Sequence, residues 1–335
     1  MTPVSIGDLA ANLSSRLELS RVKSEVSTLS TELTTGLKED ISAQERGDFS
    51  RVSALERSVS ITERYKTANA ETALRLEIAQ AALADIQTSV SESASQFLSV
   101  SGGQTPATLD TAAATAKLEL QSVMSALNTS VGGSALFGGS ITTNSPLAGV
   151  DSLLSALSTE ISASPTAADA VAAIEAWFAY PVSGFDNVIY SGSISNGIIL
   201  PSSENSDVEF EIRANDPALK DTLQALSIAA LAQDPVFAGD LDAQAEMVAT
   251  SAEQLFSNES ALAGIRGSLG ALQARVEEDA VALEASRFTY ETALNGVYAA
   301  DPYETASKLD AATLQLETLY AVTARLSDLT LTRYL

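Results

Sequence analysis

Apolar residues recur every three or four positions at both ends of this chain, a pattern that is stable only as long helices with something to bury against. Leu9, Leu13 and Leu17 follow Ile6, and then come Val22, Val26, Leu29, Leu33 and Leu37. Gly36 and the mixed segment from Lys38 to Asp48 interrupt the seam. A second run opens with Val52, Leu55 and Val59 and continues through Leu76, Leu83, Ile86, Val90 and Phe97. Unbroken, it predicts a helix roughly 70 Å long, stopped by Ser101-Gly102-Gly103 and Pro106. A third helix is expected over Leu109, Ala113, Ala116, Leu120, Val123 and Leu127.

The C-terminal third repeats the pattern. Val248, Leu255, Leu262, Leu269, Val276, Leu283, Tyr290 and Val297 recur at sevens, which predicts a long partnered helix. Asp301-Pro302 breaks it, with Pro302 suited to the first position of a new helix carrying Leu309, Ala312, Leu316, Leu319, Leu326 and Leu335.

Between these helices the texture changes. A Gly-rich stretch, Gly132 to Gly139, opens a segment that holds most of the prolines. Val188-Ile189-Tyr190, Gly197 to Leu200 and Val208 to Ile212 read as short β-runs, the last alternating apolar with acidic residues. Helices are expected over Asp151–Ser162, Thr166–Phe178 and Pro217–Gln233. The fold class is therefore mainly α: a long antiparallel helical coiled-coil bundle formed by the N- and C-terminal segments, with an inserted small α+β domain. The expected domains are 1–45 and 301–335 as coiled-coil helices, 46–133 and 246–300 as the two parts of a helical bundle, and 134–245 as the insert. The termini should be neighbours.

Composition removes much chemistry. There is no histidine and no cysteine among the 335 residues, so the commonest general base, the soft metal ligands and the thiol nucleophile are all missing. An enzyme is not expected, nor a cofactor or metal. The formal net charge of −24 would repel nucleic acid and anionic membrane surfaces, so neither is an expected partner. The first residues lack the basic start and apolar core of a cleaved signal peptide.

Individual motifs support the same reading. Ser20-Arg21-Val22-Lys23 has the Ser-x-x-Lys spacing of serine acyl enzymes but lacks their partner segments, so a solvent-facing helix turn is expected. Gly264, Gly267 and Gly270 sit within a helical repeat with no preceding strand, which favours close helix packing over a phosphate loop. Gly132 to Gly139 reads as a turn or hinge. Glu277-Glu278-Asp279 and the Asp207, Glu209, Glu211 group lack calcium-loop spacing and read as solvated faces. Trp177, Phe178 and Tyr180 read as core.

The layout resembles the flagellin and flagellar axial-protein family. Three segments carry the resemblance: Ser27 to Gly36, similar to an early helix ending in a Leu-(Ser/Thr)-(Ser/Thr)-Gly turn; Ala135 to Thr143 with Pro146, an aromatic and two small residues before a Thr-rich turn; and Ala306 to Leu335, closing with a Leu-x-x-Tyr-Leu type motif. The last two look like the hook–filament junction branch. The chain departs from the family after Gly36, where Lys38 to Arg46 replaces the usual Asn-, Ser- and Asp-rich turn.

The resemblance implies terminal helices paired inside a tubular assembly, a projecting middle domain, and a mechanical role joining hook to filament in motility. It implies an extracellular location on the flagellum after type III export without a cleaved signal, and self-association in a ring. The other implied partners are hook-associated proteins, flagellin and an export chaperone. The seam residues expected to serve assembly are Leu9, Leu13, Leu29, Leu33, Leu316, Leu319, Leu326 and Leu335. Competing readings are flagellin itself, a type III secretion tip protein and a coiled-coil adhesin. The ends should be protease-sensitive in a dilute monomer.

Overall fold

The computed structural model describes residues 6–39, 49–101, 105–179 and 184–331. The chain divides into two compact units, Met1–Thr62 with Ala285–Leu335, and Glu63–Glu284. Two long helices, α2 (Ser50–Ser101) and α8 (Leu241–Tyr298), contribute to both.

The first unit is built on α1 (Ile6–Thr35) and α9 (Pro302–Leu331), which pack together. Gly36 ends α1 in the left-handed region, φ 70°, where a glycine escapes the Cβ penalty, and its N–H caps Glu32 O at 2.8 Å. The chain then meets the turn before α9: Lys38 N–H donates to Tyr298 O at 2.8 Å and Ala300 N–H to Gly36 O at 2.9 Å. At the start of α9 the Asp301 carboxylate accepts the N–H groups of Tyr303 and Glu304, and Pro302 takes the first helical position, where no N–H is required. From this junction α9 runs back along α1, with Gln315 donating to Glu18 and Lys23 lying 5.5 Å over the Tyr320 ring. The expected antiparallel pairing of the terminal segments is observed.

In the second unit the remaining length of α2 lies antiparallel to α8: Lys66 meets Glu284, Asn69 reaches Val276 O and Arg266 donates to Gln87. The seven-residue series resolves cleanly within this unit. Val248, Leu255, Leu262, Leu269, Val276 and Leu283 are all buried, because a strict seven-residue spacing keeps one stripe turned toward one partner. Helix α3 (Pro106–Leu127) opens with a reciprocal Thr105–Thr108 cap and presents Leu109, Ala116, Leu120 and Leu127 to the same core.

A two-residue Gly132-Gly133 turn, both φ positive (59° and 79°), joins β1 (Ser130–Val131) to β2 (Ser134–Ala135); paired positive φ values are the mark of a tight hairpin. Helices α4 (Val150–Ile161) and α5 (Ala167–Phe178) follow. The expected β-run at Val188-Ile189-Tyr190 is not a strand. Gly184–Val188 forms a short helix, α6, and Tyr190 contributes only an isolated bridge to Leu147. The apolar side chains there are satisfied by core burial of Ile189 and Tyr190, with no ladder partner. Strands β3 (Ile198–Ser203) and β4 (Ser206–Phe210) form an antiparallel hairpin, in which Leu200, Val208 and Phe210 face inward and Asp207 and Glu209 outward. Helix α7 (Pro217–Ala230) then packs on α3 and α5. Trp177 and Phe178 are core residues around Phe185, as their clustering suggests, whereas Tyr180 lies outside the described residues.

Candidate assembly surface

The terminal seams split into buried and open stripes. A step of five residues separates Leu17 from Val22, which turns the stripe by about 140° on a helix of 3.6 residues per turn. Val22 is 0% exposed and Leu29 is buried against α9, whereas Leu13 is 60% and Leu17 64% exposed. The Leu13–Leu17 face therefore cannot face α9 while Val22 and Leu29 do. Leu33 lies at the edge of the buried stripe, 41% exposed. On α9, Thr305 and Ala312 are buried and Leu309, Leu316 and Leu319 are half-buried on one stripe, while Leu314 on the opposite side is exposed. Of the eight seam leucines, the structure thus pairs Leu29, Leu316 and Leu319, leaves Leu13 and Leu33 open, and does not describe the side chains of Leu9, Leu326 or the residue Leu335.

The glycines of α8 need a correction. A Cβ at Gly264, Gly267 or Gly270 would meet nothing within 4 Å, so none of the described elements packs closely on them. Periodicity alone suggests a packed face there, but it cannot say whether a neighbour is present. The acidic groups are partly used: Asp279 accepts a 2.6 Å hydrogen bond from Ser202, while Glu277 and Glu278 are exposed.

Asp279 belongs to a buried latch that the seam pattern signals only as a gap. Asn69 and Thr72 occupy the three-four spacing that continues into Leu76, Ala79 and Leu83, yet both are polar. Asn69 Nδ2 donates to Ser202 O, Ser202 Oγ and Val276 O, and Thr72 Oγ1 donates to Pro201 O. These bonds tie the β3–β4 hairpin to α2 and α8; a buried polar residue at a seam position is a common device for setting register. Nearby, Lys220 and Asp186 form a buried ion pair at 2.9 Å, with Asn215 donating to the same carboxylate and Lys220 lying over the Phe185 ring. Burial pushes the Tyr190 phenol up to about 12, and raises the Asp216 and Asp221 carboxyls above their usual range.

Among the described residues no group of three or more Asp or Glu is placed to hold a metal ion, and no helix is long and apolar enough to cross a membrane. What the arrangement can do is mechanical: hold two terminal helices side by side and present unpaired leucines along them. The fold is a mainly α one, long paired helices with a small α+β insert. Residues 240–335, which comprise α8 and α9, match the family model described as the bacterial flagellin C-terminal helical region.

No curated protein matches the chain. Among solved structures, a protein from Vibrio parahaemolyticus described as a flagellar hook-associated protein is 14% identical, with 71% of this chain and 95% of that one covered at a TM-score of 0.40. FlgL of Bacillus cereus is also 14% identical, with 70% and 100% covered at a TM-score of 0.42. At these scores neither likeness bears on function.

Proposed function

We propose that this chain is a structural subunit of the bacterial flagellar axis, and within it the subunit that joins hook to filament. The observation that carries the reading is the flagellin-type C-terminal region, whose helix α9 pairs with α1 while Leu13 and Leu17 stay open for a neighbour. Burying a leucine fully is worth roughly 1.5–3 kcal/mol, so a ring of subunits covering these stripes gains cohesion at each copy. The Phe137 segment and the Tyr334-Leu335 ending favour the junction branch over the filament subunit. In this reading the chain leaves the cell by type III export with a chaperone, and contacts other hook-associated proteins below and flagellin above. It acts by contact and not by catalysis.

Deleting the gene tests this. Cells bearing hooks without filaments, with flagellin monomers in the medium, are expected; motile cells with intact filaments overturn the assignment. A filament-subunit role is the second reading, since the matching family segment is that of flagellin itself. It predicts that the deletion strain sheds no flagellin, because the missing chain is the flagellin.

A further inference from the structure

The end of β4, the first turn of α7 and one face of α8 enclose a cleft of about 590 Å³, within the range of sites that hold drug-sized ligands. Its apolar lining is formed by Ile212, Pro217, Ile265 and Leu272. Its wall carries three carboxylates, Glu209, Glu211 and Asp216, against one guanidinium, Arg213. The imbalance is not corrected across the hairpin, because the residue opposite Glu209 is Ile199. Asp216 accepts the Arg213 backbone N–H at 2.9 Å, yet burial still raises its pKa, so its charged form is short of compensation. The small side chains of Ala261 and Ser268 keep the α8 side low.

We propose that this cleft receives a lysine side chain presented by a peptide segment of a partner protein. The ammonium meets the carboxylate wall and the four-carbon stem lies on the apolar lining, the division between head and stem that lysine makes readily. From Ala261 to Leu272 the α8 side is about 17 Å long, the reach of about five extended residues. A free alkylamine leaves most of that length empty, which favours a peptide.

The test titrates the isotope-labelled full chain with acetyl-Ala-Leu-Lys-Leu-Ala-amide, followed by amide chemical shifts. Saturable shifts confined to residues 209–218 and 261–272 are expected, weakened about tenfold in the E209Q/E211Q variant and lost when the lysine is Nε-acetylated. Circular dichroism of the variant shows whether its helices are intact. Equal binding of the acetylated peptide, binding of n-butylamine as tight as that of the peptide, shifts elsewhere, or no saturation at millimolar peptide each overturn the proposal.

Discussion

The two units of this protein are made of the same kinds of residue and are stabilised differently. In the unit spanning Glu63–Glu284 the long helices meet a third layer, and Leu120, Leu157, Phe210, Leu223 and Leu255 are fully enclosed. In the other unit α1 and α9 share one stripe, with Val22, Leu29 and Ala312 buried and most leucines half-covered or open. A helix pair alone has no far side on which to place a second apolar face, so its stability depends on what else covers it. The difference separates an enclosed core from a helix pair with one apolar face open.

Three changes would break or sharpen that contrast. The largest effect is expected for Lys220→Ala, which leaves Asp186 charged and buried inside the enclosed unit. It should cost about 3–5 kcal/mol in denaturant unfolding, and the double variant Lys220→Met, Asp186→Asn should recover most of that. No recovery in the double variant would mean that the pair is not what holds this region.

Next comes a matched pair of cavities. Leu223→Ala should cost about 2–5 kcal/mol, whereas Leu29→Ala, in a groove open to solvent, should cost less than about 2 kcal/mol. Trp177, the single tryptophan, lies in the enclosed unit and reports on it alone. Leu223→Ala should therefore shift both the Trp177 fluorescence and the helical circular dichroism transitions. Leu29→Ala should shift only an early part of the dichroism and expose both chain ends to protease, leaving a resistant core of about residues 45–300. Coincident shifts in both probes would show the two units to be one cooperative body.

The smallest effect concerns pH. Burial raises the Asp216 carboxyl above the usual carboxylate range, so the folded state binds this proton more tightly than the unfolded one. The stability it contributes is present below the unfolded pKa and lost as pH rises through the folded one. Asp216→Asn should thus raise the melting temperature at pH 7, with the gain vanishing below about pH 4. A gain that persists at pH 3 would point to packing and not to ionisation.

Reading the sequence recovers the long helices well, because a seven-residue spacing of leucines leaves few alternatives over fifty residues. It also places a strand at Val208, where acidic and apolar residues alternate, though not its pairing with β3. It misjudges Val188 to Tyr190, since a three-residue apolar run fits a strand or a buried helix end equally well. It reads Gly264, Gly267 and Gly270 as a packed face, because glycine spacing carries no record of whether a neighbour is there. The latch at Asn69 is partly visible as polar residues in seam positions, but its acceptors lie more than a hundred residues away.

By itself, then, the sequence determines the helical seams, their breaks at Gly36 and Asp301-Pro302, and the chemistry that the absence of histidine and cysteine removes. These are local matters of periodicity, capping and side-chain type. Only the tertiary structure decides which stripe of each terminal helix is buried. It turns Val22 and Leu29 toward α9 and leaves Leu13 and Leu17 outward, because two packed helices can satisfy one direction each and a rotation of about 140° points the rest away.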